Sequence, residues 1–184
     1  MKTPGRFTWH IRRLVLSVAG PLLLLCAAGL GLAGLRVNTS PSIALGLYRV
    51  SDQPVARGAH VLLCPPRTPA FALALERGYV GAGFCPGGYG YLMKQVAAAE
   101  ADEVRFAADG VRVNGHLLAA SAALPLDPAG RRLPQHAPGA LTLGPDQLLL
   151  MSARRGAWDA RYFGPVARAQ VQSVIVPLLT WPAA

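Results

Sequence analysis

Charge is scarce in this chain of 184 residues: 15% are charged, against 52% hydrophobic. Lysine is scarcer still. Lys2 and Lys94 are the only two, so the basic excess behind the net charge of +9 is carried by arginine. Aromatic residues make up 7%, and no stripe of Lys and Arg is interleaved with them. A nucleic-acid binder concentrates its basic residues in such a stripe, so no nucleic-acid partner is expected. Cysteine is limited to Cys26, Cys64 and Cys85. None has a His or Cys neighbour at ligand spacing, so no metal site is expected. The histidines, His10, His60, His116 and His136, lie in no recognisable triad motif. No internal repeat or low-complexity tract is present.

What the chain does have is a long uncharged run, Leu14 to Leu35. A helix of ~20 apolar residues spans the hydrocarbon core of a bilayer, and membrane helices tolerate the Pro21 and glycines found here. Lys2, Arg6, Arg12 and Arg13 precede the run and Arg36 alone follows it closely. The positive-inside bias then assigns residues 1–13 to the cytoplasm, 14–35 to a single transmembrane anchor and 36–184 to the far side. A cleaved signal peptide is the alternative, with Ala28 and Ala33 as small residues near a cleavage site. Its apolar region is normally ~7–15 residues, shorter than this one. Cys26 falls inside the run and reads as apolar filler. Cys64 and Cys85 fall in the part expected to face an oxidising compartment. An even pair there suggests a disulfide, with two buried free thiols as the alternative.

The outer part reads as mostly β. His60 to Leu63, Tyr91 to Ala97, Glu103 to Ala108, Gln147 to Met151 and Gln170 to Leu179 are strand candidates, as is the short apolar run Gly46 to Val50. Asp109-Gly110 and Asn114-Gly115 are tight-turn signals that bracket Val111-Arg112-Val113 and mark a small meander. Leu124 to Gly139 is rich in Pro and Gly and reads as an extended surface loop. Pro69 to Arg77 is the one strong helix candidate.

Two residues draw chemical attention. Ser42 lies in Asn38-Thr39-Ser40-Pro41-Ser42-Ile43-Ala44-Leu45-Gly46-Leu47-Tyr48, within ~25 Å of chain from Leu35 even if fully extended. A nucleophile there works near the membrane surface. By spacing alone such a Ser/Pro cluster is an ordinary polar exit loop. Serine needs a base to become a nucleophile. Lys94, the only lysine of the outer domain, sits among apolar residues in Leu92-Met93-Lys94-Gln95-Val96. A lysine acts as a base when desolvation brings its pKa towards neutrality. The competing reading is an edge-strand lysine that faces solvent and blocks edge pairing.

Three stretches occur in the order used by type I signal peptidases: Ser42 in Ser-Pro-Ser-Ile-Ala, Lys94 in Leu-Met-Lys-Gln-Val-Ala-Ala with Asp102 to Val104 after it, and Trp158-Asp159-Ala160-Arg161-Tyr162-Phe163-Gly164-Pro165-Val166. The chain resembles that family, and in particular its TraF-type conjugative-transfer branch. Asn38, Gly46-Leu47-Tyr48 and the Cys64/Cys85 pair fit the branch too. The resemblance implies a signal-peptidase-like β catalytic domain and a serine–lysine dyad with Ser42 as nucleophile and Lys94 as general base. It implies that the Ser40 hydroxyl helps form the oxyanion hole, that Asp159 is the acidic residue of the last motif, and that Arg161 pairs with a carboxylate to shape the site. No cofactor is implied. The expected substrate is a pilin or other exported precursor at the bacterial inner membrane, matured on the periplasmic side for a conjugation or secretion apparatus, with water or the substrate's own N-terminal amine as acyl acceptor.

Three departures stand out. Ala44 replaces a common proline, so the loop after Ser42 is expected to be less rigid. Ala160 replaces a serine that helps hold the lysine, with Ser152 a candidate substitute. Ser152-Ala153-Arg154-Arg155 replaces the Gly-Asp-Asn-Arg stretch of general leader peptidases. Two other functions compete: a general signal peptidase that removes many secretory leaders, and a non-catalytic, membrane-anchored assembly subunit that needs neither Ser42 nor Lys94.

Overall fold

The structure is a computed structural model that describes residues 17–25 and 29–181. The chain divides into two compact units, Met1–Arg36 and Val37–Ala184. In the first, residues 17–25 and 29–32 are helical and their leucines are exposed, Leu32 most of all. Turn hydrogen bonds from Ala33 N to Gly29 O and from Gly34 N to Gly31 O close this helical stretch. Extended backbone begins at Leu35, so the helix stops short of the boundary expected from hydropathy. Among the described residues no helix is long and apolar enough to cross a membrane. The expected span 14–35 is only partly covered: residues 14–16 and 26–28, with Cys26 and Ala28, lie outside the described residues, as do Lys2, Arg6, His10, Arg12 and Arg13.

The second unit is mostly β, as expected. Its large sheet takes in β1 (Leu35–Asn38), β2 (Leu45–Ser51), β3 (His60–Leu63), β5 (Leu92–Ala98), β10 (Gln147–Met151), β11 (Val166–Ala167) and β12 (Val171–Trp181), in the order β1-β2-β12-β3-β5-β10-β11. A smaller sheet runs β8-β7-β6-β9, from β6 (Glu103–Ala107), β7 (Gly110–Val113), β8 (His116–Leu117) and β9 (Gly139–Thr142). A short β4 (Ala82–Cys85) and two helices, α1 (Pro69–Glu76) and α2 (Ala160–Phe163), complete it. β1, β4, β9, β11 and α2 carried no clear sequence signal. They are short, and several are exposed on both faces, so no alternation marks them.

β5 is a central strand, paired antiparallel with β3 on one side and β10 on the other. Alternation then sends Lys94, Val96 and Ala98 inward. The edge-strand reading of Lys94 therefore fails: its neighbours on both sides are core strands, and Val61 sits opposite it in the ladder. Between the sheets lie Val104, Phe106, Val111, Leu143, Leu149 and Met151.

The meander exists, with one shift. Ala107 pairs with Gly110, so the tight turn is Ala108-Asp109, one residue earlier than expected. Gly110 pairs in the ladder at φ 140°, and the position takes glycine because a Cβ there would lie 2.5 Å from Ser121 Oγ. Asn114 and Gly115 do form the second turn, both at positive φ (50° and 81°), the conformation a two-residue hairpin loop requires. The 124–139 segment is mostly irregular, but it does not simply lie on the surface. Asp127 is buried and accepts from Ala129 N, Arg131 N and Arg131 Nε at 2.7–2.9 Å, and also from Tyr79 Oη.

Cys64 and Cys85 are joined by a disulfide. It sits in one cluster with Phe71, Tyr89, Trp158 and Tyr162, and so ties β3 and β4 to the wall on which the site is built. A closed loop of this length (sequence separation 21) is worth ~3 kcal/mol in the chain-entropy model. Replacing both cysteines with serine is expected to lower the melting temperature by about 10 °C in a thermal unfolding scan. A chain that melts at the same temperature with and without the bridge would show that the loop is held by packing instead.

Candidate active site

Ser42 lies on the turn between β1 and β2, and Asn38 knits that turn together. Asn38 Nδ2 donates to the carbonyls of Ser40 (2.8 Å), Ile43 (3.2 Å) and Ala44 (2.9 Å), while its Oδ1 accepts from Ser40 N (3.1 Å) and Ser40 Oγ (3.0 Å). Tyr48 Oη, from β2, adds a 2.7 Å bond to the Ala44 carbonyl. Both side chains are buried. The rigidity a proline at position 44 would give is thus supplied by hydrogen bonds. The Ser40 hydroxyl is directed at Asn38 here, so it reaches an oxyanion only by leaving that bond.

Lys94 reaches Ser42 from the sheet. Its Nζ donates to Ser42 Oγ at 2.8 Å, and the lysine is 2% exposed. Burial lowers its pKa from the ordinary 10.5 to about 8; the nearby Asp159 carboxylate opposes that fall and the Arg161 guanidinium reinforces it. At neutral pH the group is thus much closer to its neutral form than a surface lysine.

Behind this pair stands a buried ionic scaffold. Asp159 is fully buried and caps α2, accepting from Arg161 N at 3.2 Å. Arg161 Nε and Nη2 grip its two oxygens at 2.7 Å each. The guanidinium also donates to the Ala120 carbonyl (2.7 Å) and the Ser152 carbonyl (3.0 Å), and Ser152 N donates to Asp159 Oδ2 (3.0 Å). Ser152 Oγ then donates to the carbonyl of Ser42 at 2.7 Å. Ser152 therefore fixes the serine's backbone; its one proton is not spent on Lys94. One continuous chain of bonds runs Arg161, Asp159, Ser152, Ser42.

Ser40, Ser42, Lys94, Asp159 and Arg161 all converge in this region of the second unit, and Asn38 and Ser152 join them. Asn38 stood in the quoted motif with no role; a polar side chain that can bond both ways, just ahead of a Ser-Pro-Ser turn, was the available signal. His60 and His136 go elsewhere. His60 packs edge-on against Tyr48 (6.1 Å), and burial lowers its pKa. His136 lies against Phe106 (4.3 Å). Among the described residues no group of three or more His, Cys, Asp or Glu is placed to hold a metal.

A cleft of about 440 Å³ opens at Ser42. Pro41, Leu124, Leu133, Tyr79, Trp158 and Tyr162 make most of its wall. Trp158 stacks on Tyr162 (5.1 Å, interplanar 5°) and contacts Tyr79 (5.2 Å). Arg154 and Arg155 stand at its exposed side, on the loop between Ser152 and Trp158.

Residues 11–179 match the family described as signal peptidase, peptidase S26, and the chain belongs to it. It is 54% identical over 165 residues to a plasmid transfer protein TraF of Escherichia coli, covering 89% of this chain and 93% of that one. A conjugal transfer protein TraF of Agrobacterium fabrum is 38% identical over 169 residues, 90% of this chain and 94% of the other. A solved signal peptidase I of Enterococcus faecalis V583 aligns with a TM-score of 0.40 at 18% identity, over 68% of this chain and 100% of that one.

Two stability outcomes follow from the buried charges. Arg161→Met strands Asp159 without its partner and is expected to cost about 3–5 kcal/mol, read as a lower urea midpoint. Lys94→Met, near in volume, is expected to stabilise the fold at pH 7. Charging Lys94 where its pKa has dropped from 10.5 to about 8 costs roughly 3 kcal/mol at ~1.4 kcal/mol per pH unit. Below pH ~8 both folded and unfolded chains hold this proton. Between ~8 and ~10.5 the unfolded chain holds it and the folded chain does not, so native stability rises with pH through that window. The native chain should show that rise in urea midpoints and Lys94→Met should lack it; parallel curves would mean Lys94 is solvated in the folded chain.

Proposed function

We propose that this chain is a membrane-anchored serine endopeptidase that matures a pilin or other exported precursor for a conjugative-transfer apparatus. The observation that carries the reading is the 2.8 Å bond between the buried Lys94 Nζ and Ser42 Oγ. The relatives' names, plasmid transfer and conjugal transfer protein, support the conjugative setting. The N-terminal charge bias supports an anchor in the inner membrane with the peptidase unit on the periplasmic side, an oxidising compartment in which a disulfide persists.

Neutral Lys94 takes the proton from Ser42 Oγ as that oxygen attacks the scissile carbonyl. The tetrahedral oxyanion is met by the Ser42 N–H and by the Ser40 hydroxyl once it swings from Asn38. Protonated Lys94 passes its proton to the leaving amine, which departs and leaves an ester on Ser42. Lys94, neutral again, then deprotonates the incoming acceptor, water or an amine, and the serine is regenerated. Asp159, Arg161 and Ser152 hold the serine's backbone and balance the charge around the lysine. None of these steps needs a cofactor.

The test is co-expression with a tagged pilin precursor from the same genetic neighbourhood, as native chain, Ser42→Ala and Lys94→Ala, followed by intact mass. Only the native chain should shorten the precursor. Processing by both variants would sink the dyad. A further loss of 18 Da (one water) from the mature chain marks cyclisation. Where chemistry limits the rate, activity should rise about tenfold between pH 7 and 9 with an apparent pKa near 8. A flat profile from pH 6 to 10 would remove Lys94 as the base.

A further inference from the structure

The cleft beside Ser42 is apolar and aromatic along most of its wall, yet it carries two arginines. Arg154 and Arg155 are exposed, and neither takes part in any ion pair among the described residues. The loop's main chain is anchored at Arg154, whose N donates to Ser152 Oγ (3.2 Å) and whose carbonyl accepts from Arg161 Nη2 (3.4 Å). The two guanidinium groups are therefore presented by a fixed loop that has no structural need of their charge.

The carboxylates nearby are engaged. Asp127, which also lines the cleft, is held by Arg131, by Tyr79 Oη and by two backbone N–H groups. Arg155 also borders a second cleft with Asp109, whose two oxygens are gripped by Arg112 at 2.7 and 2.8 Å. Nothing in the wall neutralises Arg154 and Arg155. A peptide drawn along the cleft to Ser42 meets a greasy surface with two positive charges at one side. Charge complementarity then selects the occupant.

Resting on the peptidase reading above, we propose that Arg154 and Arg155 are specificity-determining residues that select a substrate segment pairing apolar side chains with a carboxylate close to the scissile bond. The carboxylate is either a Glu or Asp side chain or the α-carboxylate of a chain ending within the cleft. The apolar side chains lie on Trp158, Tyr162 and Tyr79, and the carboxylate meets the arginine fork, which matches its geometry bidentately. This is a more demanding choice than a pocket for one small side chain.

The experiment measures binding first, so that it does not depend on turnover. Full-length Ser42→Ala protein in detergent is titrated into fluorescein-labelled Ala/Leu dodecapeptides and read by anisotropy. Amidated peptides carry one Glu, Gln or Lys at successive positions, and a further Gln peptide keeps its free C-terminal carboxylate. At its best position the Glu peptide, or the free-carboxylate peptide, should bind roughly 5–10-fold tighter than the amidated Gln peptide, and the Lys peptide weakest, since each exposed charge pair is worth a few-fold. Whichever of the first two wins identifies the carboxylate's source. The preference should fall towards unity in R154Q/R155Q, invert in favour of Lys in R154E/R155E, and shrink with added salt. Equal binding of all peptides, or a preference that survives R154Q/R155Q, overturns the assignment. Cleavage of the same peptides by the Ser42 form separates the two ideas. Charge-selective binding without cleavage leaves the carboxylate preference of the cleft standing and counts against the dyad; Ser42-dependent cleavage without charge preference does the reverse.

Discussion

Everything about the site depends on keeping the ammonium of Lys94 away from water. A lysine at the surface is charged at any physiological pH and holds its proton too tightly to serve as a base. Placed on the inward face of a central strand, the same group loses its hydration, and the charged form becomes the costly one. The strand order matters for this reason. β5 lies between β3 and β10, so Lys94 cannot reach solvent along an open edge, and Val61 in the facing strand is itself fully buried. The serine opposite then supplies a hydrogen-bond partner that is neutral and gives up a proton only in reaction.

Burial alone would leave the lysine exposed to a nearby carboxylate, and Asp159 is such a carboxylate. If it paired with Lys94 directly, the ammonium would be stabilised and the base would be lost. Arg161 prevents this. It takes both oxygens of Asp159 at 2.7 Å, and its own positive charge pushes the lysine's pKa down as the aspartate pushes it up. The aspartate–arginine pair thus acts on the lysine as a nearly neutral dipole. It also supports the structure, capping α2 and fixing Ser152, whose hydroxyl in turn holds the Ser42 carbonyl. An Arg suits this place better than a Lys because its planar fork satisfies the carboxylate and three backbone carbonyls together.

The two ends of the site were unequally legible in the sequence. Lys94 stood out as a lone lysine among apolar residues, whereas Ser42, Asp159 and Arg161 gained their roles through the resemblance to type I signal peptidases. Gln147–Met151 and His60–Leu63 were visible as strands because an apolar run ended at a turn signal. The role of Asn38 and the cleft were not visible, and Ser152 was named as a support for the lysine rather than for the Ser42 carbonyl it holds. Asn38 acts through several backbone carbonyls that come together only when the turn closes, and Ser152 acts across 110 positions of sequence on one carbonyl. Such contacts leave no local pattern. Ala44 and Ala160 looked like losses, yet the loop after Ser42 is braced by Asn38 and Tyr48, so the missing proline need not mean a loose turn. Asp109-Gly110 misled by one residue because Gly110 was read as the turn itself, whereas it serves a close approach to Ser121.

A fold that buries a lysine must recover stability elsewhere, and where it does so shapes the site. The costly group is the third residue of β5; the disulfide joins the residue just after β3 to the end of β4 within the cluster that contains Trp158 and Tyr162. These aromatics are at once the wall of the cleft and part of the core that the disulfide closes. Stiffening that wall has a chemical consequence. On the peptidase reading, a rigid cleft would hold a peptide carbonyl at a set distance from Ser42, and orientation of this kind supplies a large share of rate acceleration in enzymes. The arginine loop, clamped at Ser152 and at Arg161, sits on the same rigid frame. Ser42, Lys94 and the cleft therefore answer to one network, and loosening any one of its anchors is felt at the serine.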